Sequence, residues 1–129
     1  MHYPATSTSL ANGLRVVVSP TPGLGVVAVN LWYDVGSRHE QPERQGFAHL
    51  FEHLMFQGSR HVRSGEHFTL LQGHGASLNA TTSFDRTNYF ESGPTPILDL
   101  ALWLEADRMA YLGDALTEEN LSNLSLIHI

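Results

Sequence analysis

The run Val26-Val27-Ala28-Val29-Asn30-Leu31-Trp32-Tyr33 constrains the fold more than any other segment, because it is largely β-branched or aromatic and apolar on both of its alternating faces. Such a segment needs partners on its edges and cover on its faces. The pattern therefore predicts a strand over 26–33 at the centre of a sheet, entered from the Gly23/Gly25 turn region and closed by Asp34-Val35-Gly36-Ser37.

Around it the chain alternates between strand and helix periods. After a polar lead-in, Asn12-Gly13 signals a turn that opens a strand at Leu14-Arg15-Val16-Val17-Val18, ended by Ser19-Pro20. From Gly46 to Phe56 the apolar Phe47, Leu50, Phe51, Leu54 and Met55 recur at helical spacing, and Gly58 stops them. Ser64 is placed to cap a second helix through Leu71 and Gln72, which Gly73 and Gly75 end. Ala76 to Thr82 and Thr87 to Glu91 read as an antiparallel pair, with Asp85 and Arg86 forming a weak ion pair in the loop between them. Pro94 and Pro96 break that strand and start an amphipathic helix along Ile97, Leu98, Ala101, Leu102, Leu104 and Ala106 to Leu112, with Gly113 at its end. Thr117 caps a last helix, where Glu118 and Glu119 suit the positive end of the dipole. This order of elements fits an α+β domain with helices packed on one face of a mainly antiparallel sheet.

A length of 129 residues allows one core and no second independent one. The net charge of −6, with all seven bases arginine and no basic cluster, argues against a nucleic-acid or anionic-membrane partner. No cysteine is present, so a metal here needs nitrogen and oxygen ligands. No apolar stretch is long enough to span a bilayer and no signal peptide is recognisable, so a cytoplasmic, bacterial-type protein is expected. The last six residues, Leu124 to Ile129, match what one reading frame of a sequencing-library transposon end encodes. They are expected to be a non-native read-through tail, with 1–123 a partial domain whose native chain continues past Asn123.

His49-Leu50-Phe51-Glu52-His53 carries the chemistry. Two imidazoles four residues apart on a helix share a face about one turn apart, so both can reach one ion. Neutral imidazole is a preferred zinc ligand, and a catalytic zinc keeps an open position beside three protein ligands. Glu52 can lie beside that position and take a proton from water activated by the metal. The spelling H-x-x-E-H is the inverzincin order. With eight histidines and eight glutamates in the chain, roughly 0.03 chance occurrences are expected. Two surface histidines and a glutamate on a helix with no metal is the competing reading of the pattern alone. His39, His61, His67 and His74, in loops or helix flanks, and the terminal His2 and His128 are read as solvated or locally bonded.

The stretch from Gly46 to Ser59 resembles the active-site helix of the pitrilysin family of zinc metallopeptidases, which includes insulin-degrading enzyme and the mitochondrial processing peptidase. The likeness extends to Asn12-Gly13-Leu14-Arg15-Val16, to Asp34-Val35-Gly36-Ser37-Arg38, and to Leu78-Asn79-Ala80-Thr81-Thr82 with Thr87-Asn88-Tyr89-Phe90, and so covers about Ser9 to Asn123. It implies that His49 and His53 bind one zinc ion, that Glu52 is the general base, and that 1–123 is part of an N-terminal catalytic domain. The family's third ligand is a glutamate on a later helix, beyond the end of this chain. Glu118 and Glu119 precede that position and read as cap-region acids, so the chain by itself is expected to be inactive. The resemblance further implies an edge strand that binds peptide or unfolded protein substrate at Asn79 and Ala80, and a second homologous domain or subunit that closes a chamber. Two other readings stand beside this endopeptidase: a non-catalytic peptide-binding or scaffold subunit of the same fold, against which the intact motif speaks, and a zinc hydrolase acting on a small molecule.

Overall fold

The computed structural model describes residues 3–127; His2, His128 and Ile129 lie outside the described residues. Among the described residues the strands are β1 (Thr6–Ser9), β2 (Arg15–Val18), β3 (Val26–Tyr33), β4 (Ser77–Thr82) and β5 (Thr87–Pro94). The helices are α1 (Phe47–Leu54), α2 (Glu66–Gly73), α3 (Leu98–Tyr111) and α4 (Glu118–Ile127). Every pairing is antiparallel: β1 with β2 as a separate hairpin, and β3, β5 and β4 side by side in that order. This is the expected α+β layout. None of the described helices is long and apolar enough to cross a membrane.

The helices cover one face of the three-stranded sheet. Val27 and Val29 of β3 and Leu78 of β4 point into a core built from Val62, Leu71, Ala76, Ile97, Ala101 and Leu104. A second core, beneath α1, joins Met55 to Ala80 and Tyr89, flanked by Tyr33, Phe56 and Leu112. The two clusters seat α1, α2 and α3 on the same sheet, which fixes the motif helix against β4 and β5.

β3 is an edge strand and not the centre; β5 takes that place. The alternate residues Val26, Ala28, Asn30 and Trp32 are exposed. An apolar residue on a strand does not report whether its face is covered, since folded surfaces carry much apolar area. Trp32 instead lies under the Arg86 guanidinium, 4.9 Å from the ring centre. That position also settles the loop: Arg86 donates to Thr81 Oγ1 at 2.9 Å and Asn88 Oδ1 at 2.7 Å, while Asp85 accepts from Ser83 Oγ, so the expected Asp85–Arg86 pair does not form. Neighbouring side chains at a strand end point to opposite sides, and Arg86 is drawn to the outer face of the sheet.

Three further elements differ from expectation. β1 was not foreseen, because Thr6 to Ser9 is exposed throughout and has no apolar alternation; its pairing comes from the Asn12-Gly13 turn, where Gly13 takes φ +90° and Asn12 Oδ1 accepts the Leu14 N–H at 3.0 Å. The cap of α2 is Gly65, at φ +76°, while Ser64 Oγ bonds Gln57 instead. On α3 the buried stripe contains Glu105, Asp107 and Arg108, whereas Leu102 and Met109 are exposed. β5 runs past the expected end at Glu91 and closes at Pro94, which pairs with Val26, while α3 ends at Tyr111 and Thr117 Oγ1 accepts the Asn120 N–H at 3.2 Å at the start of α4.

Candidate metal centre

α1 begins at Gly46, in the left-handed region at φ +90°, and presents two faces. Phe47, Ala48, Phe51 and Met55 line an apolar cavity of about 530 Å³ shared with Tyr33, Val35 and Met109. His49, Glu52 and His53 fall on the other side, as a period of 3.6 requires. This cavity therefore lies behind the motif helix and not over its polar face.

On that polar face the two imidazoles lie side by side. His49 Nε2 and His53 Nε2 stand 3.0 Å apart, with the rings 4.6 Å apart between centres. Glu52 Oε2 accepts a hydrogen bond from Thr82 Oγ1, the last residue of β4. The carboxylate is thus tied beside the end of an edge strand, a contact between residues 30 apart in sequence that the motif alone could not show. Asn79 is exposed on the same strand, and its Oδ1 accepts the Ala80 N–H at 2.9 Å. Glu118 and Glu119 lie exposed in the first turn of α4.

Around the motif, the loop after β3 is docked through its own backbone groups. Gly36 lies against the β4–β5 turn so closely that a Cβ there would meet the carbonyl oxygens of Ser83 and Phe84 at 2.6 Å. Ser37 and Arg38 donate to those same carbonyls. Thr87 Oγ1, on β5, bonds the Val35 carbonyl at 2.9 Å from the other side.

A second polar group, which the sequence did not single out, lies beneath α1. His67 of α2, Glu91 of β5 and Glu105 of α3 are all buried, with one ligand-type atom from each lying within 4.8 Å of the others. His67 is therefore not the solvated histidine expected. Arg108 lies in the same group and bonds both Glu105 oxygens. Burial and a hydrogen bond with Glu91 raise the Glu105 carboxyl to about 7 against the opposing pull of Arg108. Burial, helped by Arg108, lowers His67 to about 4 although Glu105 opposes this. Near neutral pH His67 is then neutral beside the buried Arg108 guanidinium, and Glu105 keeps its proton to a higher pH than a solvated carboxyl does.

The other histidines divide. His39 Nδ1 accepts the Gly36 N–H at 3.1 Å and His74 Nδ1 donates to the Leu70 carbonyl at 2.6 Å, both local bonds as expected. His61 does not stay local: its Nδ1 bonds Asp107 Oδ1 at 2.6 Å, and Ser59 Oγ bonds the other oxygen at 2.5 Å. Asp107 thereby ties the turn after α1 to α3.

A family model described as insulinase, peptidase family M16, matches residues 15–123. The chain is 40% identical over 107 residues to the zinc protease PqqE of Helicobacter pylori, covering 82% of this chain and 24% of that protein. It is 36% identical over 118 residues to the beta subunit of the mitochondrial-processing peptidase of Mus musculus, covering 89% of this chain and 24% of that one. Among solved structures, a protease from Helicobacter pylori superposes with a TM-score of 0.92 at 36% identity, over 98% of this chain and 30% of the other. Pitrilysin superposes with a TM-score of 0.77 at 28% identity, over 84% of this chain and 12% of the other. The chain thus spans about a quarter of the length of the curated relatives it matches. With the family model matching most of its length and relatives at this level of identity, the chain belongs to the insulinase family, peptidase family M16.

Proposed function

We propose that the protein to which this chain contributes is a zinc-dependent endopeptidase, with His49 and His53 as two of the metal ligands and Glu52 as the general base. The observation that carries this reading is the placing of two imidazole nitrogens 3.0 Å apart next to a carboxylate tethered at the end of an edge strand. Two ligands at ~2.0–2.1 Å from a tetrahedral ion stand about 3.3 Å apart, so a small ring rotation accommodates zinc. The nitrogen and carboxylate donors suit that ion.

Zinc, when bound, supplies a Lewis acid that polarises a carbonyl and makes water acidic. The residues of this chain supply the rest. Thr82 holds one oxygen of Glu52, leaving the other to receive a proton from water and later deliver it to the leaving amine. β4 offers a free edge to an extended peptide, whose main chain would take over the Ala80 N–H that Asn79 now holds. Recognition through main-chain bonds admits peptides of many sequences.

In this proposal the third ligand, a glutamate, and a second homologous domain or subunit come from outside the 129 residues, in keeping with the quarter of the relatives' length that the chain spans and with the relative named as a beta subunit. Glu118 and Glu119 are cap-region acids, and Leu124 to Ile129 are non-native. The chain alone should therefore bind zinc weakly and cleave nothing. Replacing Glu52→Gln in the full-length protein is the test: peptide cleavage should be lost while peptide binding persists. Cleavage that survives the change would remove Glu52 as the base. A wild-type protein that binds peptide but never cleaves it would favour the scaffold reading.

A further inference from the structure

α1 has eight residues, barely two turns, and a helix that short is marginal unless its ends are held. Its N-terminal cap is Gly46, which has no side chain to offer. Instead a carboxylate from outside the helix fills the role. Glu40 Oε2 accepts the Gly46 N–H at 2.8 Å and Glu40 Oε1 accepts the Ala48 N–H at 2.9 Å, so both oxygens of one side chain hold the first turn. At the other end Met55 is the C-cap, and its carbonyl accepts a bond from Arg108 Nη1 at 3.3 Å. The signs match the helix dipole at both ends.

Neither holding group is loose. Glu40 follows the turn at Ser37–His39, whose backbone is bonded to the β4–β5 turn through Ser83 and Phe84. Arg108 is buried, forked onto Glu105, and stacked over the rings of Tyr89 at 4.3 Å and Phe56 at 5.0 Å. The N-terminal end of α1 is thereby referenced to one end of the sheet and its C-terminal end to α3, while Glu52 is tied to β4 between them.

We propose that Glu40 and Arg108 are positioning residues, an oppositely charged pair that grips the two ends of the motif helix and sets the tilt of His49, Glu52 and His53 toward the metal and the edge strand. The proposal rests on the zinc peptidase reading. Catalytic groups must be held within ~0.5 Å of productive geometry, and a two-turn helix released at one end pivots by more than that at its side chains. The grip therefore affects metal retention and turnover more than substrate affinity.

The test uses the full-length protein with Glu40→Gln, which keeps the size but loses the charge and one of the two bonds, and Arg108→Lys, which keeps the charge but loses the fork. Glu40→Asp serves as the conservative rescue, and Glu43→Gln, the same charge change in the same loop, as the control. Three quantities are read: amide exchange of residues 46–57 in the metal-free protein, the zinc dissociation rate, and kcat and KM separately. Loss of a charged helix cap is worth roughly a five- to tenfold change in such equilibria. Glu40→Gln should raise α1 exchange and zinc dissociation about fivefold and lower kcat by a similar factor with KM nearly unchanged, Glu40→Asp should recover part of each, and Glu43→Gln should match wild type. Arg108→Lys should shift the same three readings in the same direction, and because Glu40 is partly exposed the experiment survives even if the buried Arg108 variant fails to fold. Unchanged α1 exchange in Glu40→Gln overturns the grip, and faster exchange with unaltered zinc dissociation and kcat overturns its positioning role. A wild-type protein that takes up no zinc overturns the peptidase reading and the positioning role with it, whereas a zinc-loaded, active wild type whose variants behave like it overturns this proposal alone.

Discussion

The buried group at His67, Glu91, Glu105 and Arg108 makes the pH dependence of stability separable into two opposed parts. His67 titrates at about 4 when folded and at its ordinary 6.5 when unfolded. It therefore costs nothing above pH 6.5, and its neutral form becomes an increasing burden on the folded state as pH falls from 6.5 to 4. Glu105 titrates at about 7 folded against 4.5 unfolded, which reverses the sense: no cost below pH 4.5 and a growing one as pH rises to 7. Each pH unit inside such a window is worth up to ~1.4 kcal/mol, so each group accounts for about 3 kcal/mol over its own window. Between pH 4.5 and 6.5 the slopes oppose each other, and the pair contributes a plateau. Substituting His67→Gln should expose the other half. Urea unfolding followed by tryptophan fluorescence from pH 4 to 7.5 gives the stability of each protein, and subtraction removes every titration the two share. The advantage of wild type over His67→Gln should grow by about 3 kcal/mol from pH 4 to 6.5, and its advantage over Glu105→Gln should shrink by a similar amount from pH 4.5 to 7. Two differences that stay flat across these windows would refute the lowered His67 and the raised Glu105.

Other expectations follow from single contacts. Leu104→Ala empties a fully buried position between α3 and the sheet and should cost ~2–5 kcal/mol, read as a lower urea midpoint at unchanged slope. Gly36→Ala drives a methyl into backbone oxygens at 2.6 Å and should free the loop from the β4–β5 turn, visible as faster amide exchange at Ser37 and Arg38. Thr82→Val should lower kcat by roughly tenfold in the full-length protein without changing zinc content, since it releases Glu52 but no ligand. Glu118→Gln and Glu119→Gln should leave zinc affinity at the wild-type value.

The parts of this fold that were legible share a physical cause. α1 could be read because Phe47, Leu50, Phe51, Leu54 and Met55 repeat at the helical period between two glycines, and the β4–β5 pair because threonines and aromatics bracket a short polar turn. β1 was hidden because none of its residues is buried, so its pairing leaves no hydrophobic trace. β3 looked central because an apolar side chain on an open face has the same spelling as one in a core. α3 carried its most consequential residues, Glu105 and Arg108, in a form that reads as a solvated face until burial is known. The motif residues were visible at once, being four apart on one helix, but their supports were not. Thr82 reaches Glu52 across 30 residues, Arg108 reaches Met55 across 53, and Glu40 caps the helix from a loop. Such contacts depend on topology, which local spacing does not encode.

The most direct test of the proposed metal centre is the zinc K-edge X-ray absorption spectrum of the full-length protein, compared with that of its His53→Asn variant. The account predicts two imidazole nitrogens and a carboxylate oxygen at ~2.0–2.1 Å in the wild type, with one imidazole contribution missing in the variant. A metal shell without imidazole scattering, or one that His53→Asn leaves unchanged, would contradict it.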